Sequence, residues 1–106
     1  MAAFFEPDGP RPVDPLAALV RSIERGARGL LLDDGALPAA FFDLRSGVAG
    51  ELAQKLVNYG LRMAAVVPDL ESRPERFREF AREANRRSPL RFFATRREAV
   101  AWLEAE

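Results

Sequence analysis

Residues 60–69 read Gly60-Leu61-Arg62-Met63-Ala64-Ala65-Val66-Val67-Pro68-Asp69, or GLRMAAVVPD. A glycine opens the stretch, a Pro-Asp pair closes it, and between them Leu61 to Val67 is apolar except for Arg62. A short run without polar alternation is what a strand covered on both faces requires, and such strands belong to mostly parallel sheets with helices packed on them. Upstream, Val48, Ala49, Leu52, Ala53, Leu56 and Val57 form one apolar side of a helix expected from about Gly47 to Tyr59, with Ser46 as its cap and Gly60 as its stop. Downstream, Ser72 and Glu75 stand three apart, as a capping box requires. Phe77, Phe80, Ala81 and Ala84 then make the inward stripe of a further helix, which Asn85 to Pro89 ends.

The same alternation extends toward both ends. Asp14-Pro15 reads as an N-cap followed by a first-turn proline, and Leu16, Leu19, Val20 and Ile23 recur at helical spacing up to Gly26. Arg28 to Leu32, closed by Asp33-Asp34-Gly35, reads as a buried strand. In the connector Ala36 to Arg45, Phe41 and Phe42 are too apolar to stay in solvent and are expected to pack inward. Leu90 to Ala94 is another strand, and Thr95 with Glu98 repeats the capping box before Ala99, Val100, Trp102 and Leu103. Pro7, Pro10, Pro12 and Pro15 leave only Phe4 and Phe5 for an edge strand. The expected fold class is α/β: a small, mostly parallel sheet of about three to four strands with helices packed on it, in one domain over residues 1–106.

Composition narrows the function. The 106 residues include no cysteine and no histidine, which removes disulfides, thiolate metal sites, cysteine nucleophiles and imidazole acid–base chemistry. No catalytic residue, metal site or cofactor is expected. Asp33, Asp34 and Asp69 follow strands, where ligands of parallel sheets usually bind, but aspartate is also a common turn former and no phosphate-binding loop accompanies them. No apolar run reaches the length of a membrane span, and the start MAAFFEPDGP lacks the basic and long apolar segments of a signal peptide, so no membrane association and a cytoplasmic location are expected. The 16 basic and 16 acidic side chains cancel, yet residues 73–97 hold nine arginines against three glutamates. Nucleic acid is not the favoured partner of that arginine-rich stretch, because Phe77, Phe80, Phe92 and Phe93 are expected in the core rather than free for stacking. A negatively charged protein fits the same asymmetry.

The stretch from Phe41 to Tyr59 carries the candidate site. Glu51, Gln54, Lys55 and Asn58 fall at i, i+3, i+4 and i+7 and so share one helix side. This pattern suits either a solvated face with a Glu51–Lys55 pair or a surface that docks a partner. Lys55 is the single lysine beside fifteen arginines, a compact cation in an otherwise guanidinium-based composition. Ser46 precedes the helix beside Arg45, with Gly47 and Gly50 keeping the backbone open. It reads as an N-cap, and a phosphate there would meet a helix N-terminus and a guanidinium.

FFDLRSGVAGELAQKLVNYGLRMAAVV, then FREFAREANRR, then FFATRREAVAWL, resembles the bacterial family known as domain of unknown function 4180. The likeness covers most of the chain from about Leu31, and its most specific elements are Ala49-Gly50-Glu51, Gln54-Lys55 and Asn58-Tyr59. By this resemblance those residues are site candidates, with Asp43, Arg45, Glu83 and Asn85 behind them. The chain departs from the family pattern at Pro68, where glycine is usual, and at Ala84 and Arg87, where serine and glycine are usual. More distantly, the order of elements looks like the STAS domains of anti-sigma factor antagonists, in which a serine at the position of Ser46 can be phosphorylated. That likeness implies a non-enzymatic regulatory domain that docks a partner protein, or a second copy of itself by pairing at an incomplete N-terminal sheet edge. The other reading is a small-molecule or phosphometabolite-binding protein or enzyme, with Arg45, Glu51, Lys55, Asn58 and Glu83 around a pocket at the strand ends.

Overall fold

Arg62–Val66 forms the central strand β2, flanked by β1 (Gly29–Asp33) and β3 (Leu90–Phe93), both parallel to it, in a three-stranded sheet of order β1-β2-β3. The computed structural model describes residues 3–8 and 12–105. Pro10 and the first two residues therefore lie outside the described part of the chain. Five α-helices complete the order of elements among the described residues: α1 (Pro15–Glu24), α2 (Ala39–Phe42), α3 (Val48–Tyr59), α4 (Glu75–Arg87) and α5 (Arg96–Glu104). The expected α/β architecture is the one observed.

Strand alternation divides the apolar residues between two layers. Leu30, Leu32, Met63, Ala65, Leu90 and Phe92 pack against α1 to α4, whereas Leu31, Ala64 and Val66 pack against Ala99 and Leu103 of α5. Phe41 is fully buried at the centre of the larger layer, edge-on to Phe42 and Phe77 with ring centroids 5.3 and 5.8 Å away. Its burial fulfils the expectation for the connector, which here forms the short helix α2.

Arg62, the one charge between Leu61 and Val67, fastens α5 to the sheet. Its Nη2 donates to the carbonyls of Leu103 and Ala105 at 3.0 and 2.7 Å, satisfying acceptors that the helix end leaves without partners. Its guanidinium also lies 5.1 Å from the Trp102 ring centroid, and Arg91 flanks the same ring at 5.2 Å.

The sheet edges are closed by two devices. At β1, Phe5 makes a single parallel bridge with Leu30, donating to the Gly29 carbonyl and accepting from Leu31 N–H, each at 2.9 Å. Pro7 cannot continue such pairing. The segment is held further by Glu6, whose carboxylate lies 2.7 Å from Arg96; this hydrogen bond, and then the charge, hold the Arg96 proton above the ordinary guanidinium range. The edge is thus occupied at Gly29 and Leu31 rather than open for a second copy.

Several local expectations change. In α1 the buried side is Pro15, Ala18, Leu19 and Ser22, while Val20 and Ile23 are exposed. Ser22 is tolerated there because its hydroxyl donates to the Gly29 carbonyl at 3.0 Å. Thr95 does cap α5, accepting from Glu98 N–H. The Ser72–Glu75 box does not form: Ser72 closes a 3-10 turn by donating to Asp69 at 2.7 Å, Pro74 keeps Arg73 extended, and α4 starts only at Glu75. No helix of the described residues is long and apolar enough to cross a membrane.

Candidate functional site

The turn into α3 is built by Asp43, Arg45, Ser46 and Gly47. Asp43 Oδ1 accepts from the Arg45 backbone N–H at 3.1 Å and lies 3.4 Å from its Nε. The Ser46 hydroxyl donates to the Ala40 carbonyl and accepts from Val48 N–H at 3.2 Å, so it ties α2 to the first amide of α3. Ser46 is not the N-cap itself. Gly47, at φ 79°, holds that position, which a side chain would strain, and displaces the helix start by one residue. Asp43 and Arg45 line a groove of about 670 Å³ whose floor includes Phe42, Leu44 and Phe77 and whose far wall is Pro74 to Arg76.

A second groove, about 420 Å³, runs between α3 and α4 and brings together Gly50, Gln54 and Glu83. The sequence reading missed its other walls: Ala53 and Val57 on α3, and Phe80, Ala84, Arg87, Ser88 and Pro89 on and after α4. Val57 was expected on the apolar side of α3 and is instead 59% exposed. At about 100° per residue it lies beside Gly50 and Ala53, on the shoulder turned to α4 rather than under the helix. Glu83 sits on the rim 3.8 Å from Arg87 and 3.9 Å from Arg86, pairs exposed enough to hold only loosely.

Lys55 belongs to neither of these grooves and is half-buried on the opposite shoulder of α3. The Glu51–Lys55 pair of the solvated-face alternative is absent: neither side chain has an oppositely charged group within 4.0 Å among the described residues. The exposed polar side of α3 is ordered instead by Gln54, which donates to Asn58 at 3.1 Å. Tyr59 is 59% exposed, and with Val20, Ile23 and Val57 it completes the exposed large apolar residues among those described, all on α1 and α3.

Asn85 lies in the last turn of α4, which ends at Arg87, within the Asn85 to Pro89 segment expected to close it. Its side-chain amide clamps β3: Oδ1 accepts from Phe92 N–H at 2.7 Å and Nδ2 donates to the Phe92 carbonyl at 3.3 Å. Met63 donates to the Pro89 carbonyl and Val67 to that of Phe93, so odd-numbered residues of β3 face β2 and Phe92 faces the free edge. Ser88 Oγ accepts from the other edge amide, Leu90 N–H, at 3.0 Å. Asn85 and Ser88 therefore stand where a further strand would pair, a protection sheet edges commonly need.

The candidate acidic and arginine-rich features are similarly employed. Asp33 accepts from Ala36 N–H at 2.9 Å, and Asp69 accepts from Ser72 and pairs with Arg73. Within residues 73–97 the phenylalanines are buried or half-buried, Phe80 lying 5.9 Å from Phe77 and Phe93 5.6 Å from Trp102 by ring centroid. None offers an open stacking platform.

Among the described residues, three parallel strands in sequential order, four α-helices on one face and one on the other define a small α/β domain, with the two grooves that hold candidate residues on the crowded face. The chain belongs to the family Domain of unknown function (DUF4180), whose model matches residues 12–103. No curated protein and no solved structure matches it.

Proposed function

We propose that this chain is a non-enzymatic, regulatory interaction domain that docks a protein segment in the groove between α3 and α4. The observation that carries the reading is the state of Val57: a large aliphatic side chain, 59% exposed, at the edge of a groove with Gly50, Ala53, Phe80 and Ala84. Isolated exposed apolar residues are ordinary, but one that borders a concave apolar surface with a polar rim matches the anatomy of a protein contact. Gln54, Glu83 and Arg87 supply that rim. The groove follows about two turns of each helix, a length suited to two or three side chains of an amphipathic partner.

The small-molecule reading requires Lys55 and Glu83 to converge. Their separation on opposite sides of α3 favours docking, as does the placement of Arg45 in the other groove. A photo-crosslinking residue at Gln54, compared in cells of the source organism with the same residue at exposed Ala101 on α5, tests the proposal. Defined adducts from position 54 and none from position 101 are expected. Equal labelling at both positions, or none at 54, contradicts the docking role.

A further inference from the structure

Resting on that reading, we propose that the occupant of the α3–α4 groove is a second copy of this chain, related to the first by a two-fold axis passing α3 between Ala53 and Gln54. The observations are the shape and charge of the groove. Gly50 sits inside α3 with an ordinary negative φ, and a Cβ added there would meet nothing within 4 Å. Nothing within the fold requires a glycine at this position, although glycine is an unfavourable helix residue. Its effect is a shallow hole in the groove wall. Val57, seven residues on, is the corresponding ridge on the same shoulder. A two-fold axis between them reverses α3, so each Val57 stands over the other copy's Gly50 and both holes are filled by both ridges.

The rim agrees with this arrangement. Among the described residues it carries one carboxylate, Glu83, and one guanidinium, Arg87, a turn apart on α4. Both α3 and α4 lead into parallel strands through crossovers on the same face and therefore run in the same direction. The axis that reverses one reverses the other, turning Arg87 toward the second copy's Glu83. A rim of one sign selects an oppositely charged stranger, whereas a rim holding one of each is complementary to itself after reversal. The formal net charge of zero adds no long-range repulsion between copies.

Sedimentation velocity and ¹⁵N amide shifts of the full chain, followed from roughly 10 µM to roughly 1 mM, a range that spans weak association, test the proposal. The expected result is a mass rising from 11.8 kDa toward twice that value, with concentration-dependent shifts confined to residues 50–57 and 80–89. Gly50→Arg, whose side chain has open space in the isolated chain, is expected to weaken association at least about tenfold without lowering the melting temperature of the dilute chain, since arginine is a better helix residue than glycine. Glu83→Arg alone weakens it as well, and adding Arg87→Glu restores it. A mass fixed at 11.8 kDa without shifts overturns self-docking, and so does a dimer indifferent to Gly50→Arg. Those failures are separable from failure of the docking role itself: a crosslinked adduct at Gln54 of any mass other than a doubled chain sustains docking while refuting a second copy.

Discussion

Replacing Asn85 by alanine removes both bonds to Phe92, one short at 2.7 Å and one long at 3.3 Å. A well-made hydrogen bond contributes about 1.5 kcal/mol net and a stretched one about 0.5, so the direct loss is about 2 kcal/mol. Alanine returns about 0.5 kcal/mol as a better residue for the last turn of α4, leaving a net loss of about 1.5 kcal/mol. For a domain of this size that corresponds to a melting temperature lower by roughly 6–12 °C. Urea denaturation followed by far-ultraviolet circular dichroism measures the change, and hydrogen exchange at the Phe92 amide localises it. Asn85→Asp keeps the acceptor of the shorter bond but turns a carboxylate oxygen toward the Phe92 carbonyl at the C-terminal end of α4, so it should recover little of the loss and remain about 1 kcal/mol or more below the parent. Stability of Asn85→Ala within about 0.5 kcal/mol of the parent, or an unchanged Phe92 exchange rate, refutes the clamp and returns Asn85 to the candidate binding residues.

Further substitutions examine other parts of the account. Arg62→Ala removes two bonds to the end of α5 and the contact over Trp102, so a loss of about 2 kcal/mol and a red-shifted emission from the single tryptophan are expected in a fluorescence-monitored urea titration. Ser22→Ala leaves the Gly29 carbonyl without its side-chain donor and is expected to cost about 1 kcal/mol by the same assay. Gly50→Ala should stabilise the chain by up to about 1 kcal/mol in thermal melts, because the added methyl meets no neighbour and alanine is the better helix residue. Phe41→Ala empties the centre of the aromatic cluster and should cost about 3–5 kcal/mol, enough to leave much of the chain unfolded at 37 °C, as near- and far-ultraviolet dichroism would show.

What was legible in the sequence was mostly local or periodic. GLRMAAVVPD specified a buried central strand, and Thr95 with Glu98 specified a helix start because both partners lie within one turn. The Ser72–Glu75 match had the same spacing but failed, since Pro74 forces the preceding residue out of the helical region. Arg62 looked like an interruption because its partners are more than forty residues away, at Leu103 and Ala105. The clamp made by Asn85 was not legible, because the carbonyl and amide it holds belong to the next strand. The candidate site was half-legible. Periodicity put Gln54 and Asn58 on the exposed side of α3, but which shoulder of the helix faces α4 depends on tertiary packing, and that decides the places of Val57 and Lys55.

The docking claim is tested most directly by the accessibility of one side chain, Val57, in the living cell. Carbene footprinting in cells, compared with the purified chain at high dilution, should show strong labelling of the Val57 peptide in dilute solution and marked protection in cells, with the exposed side of α5 labelled equally in both. Equal labelling of Val57 in the two settings would mean that the groove stays empty and would contradict the account.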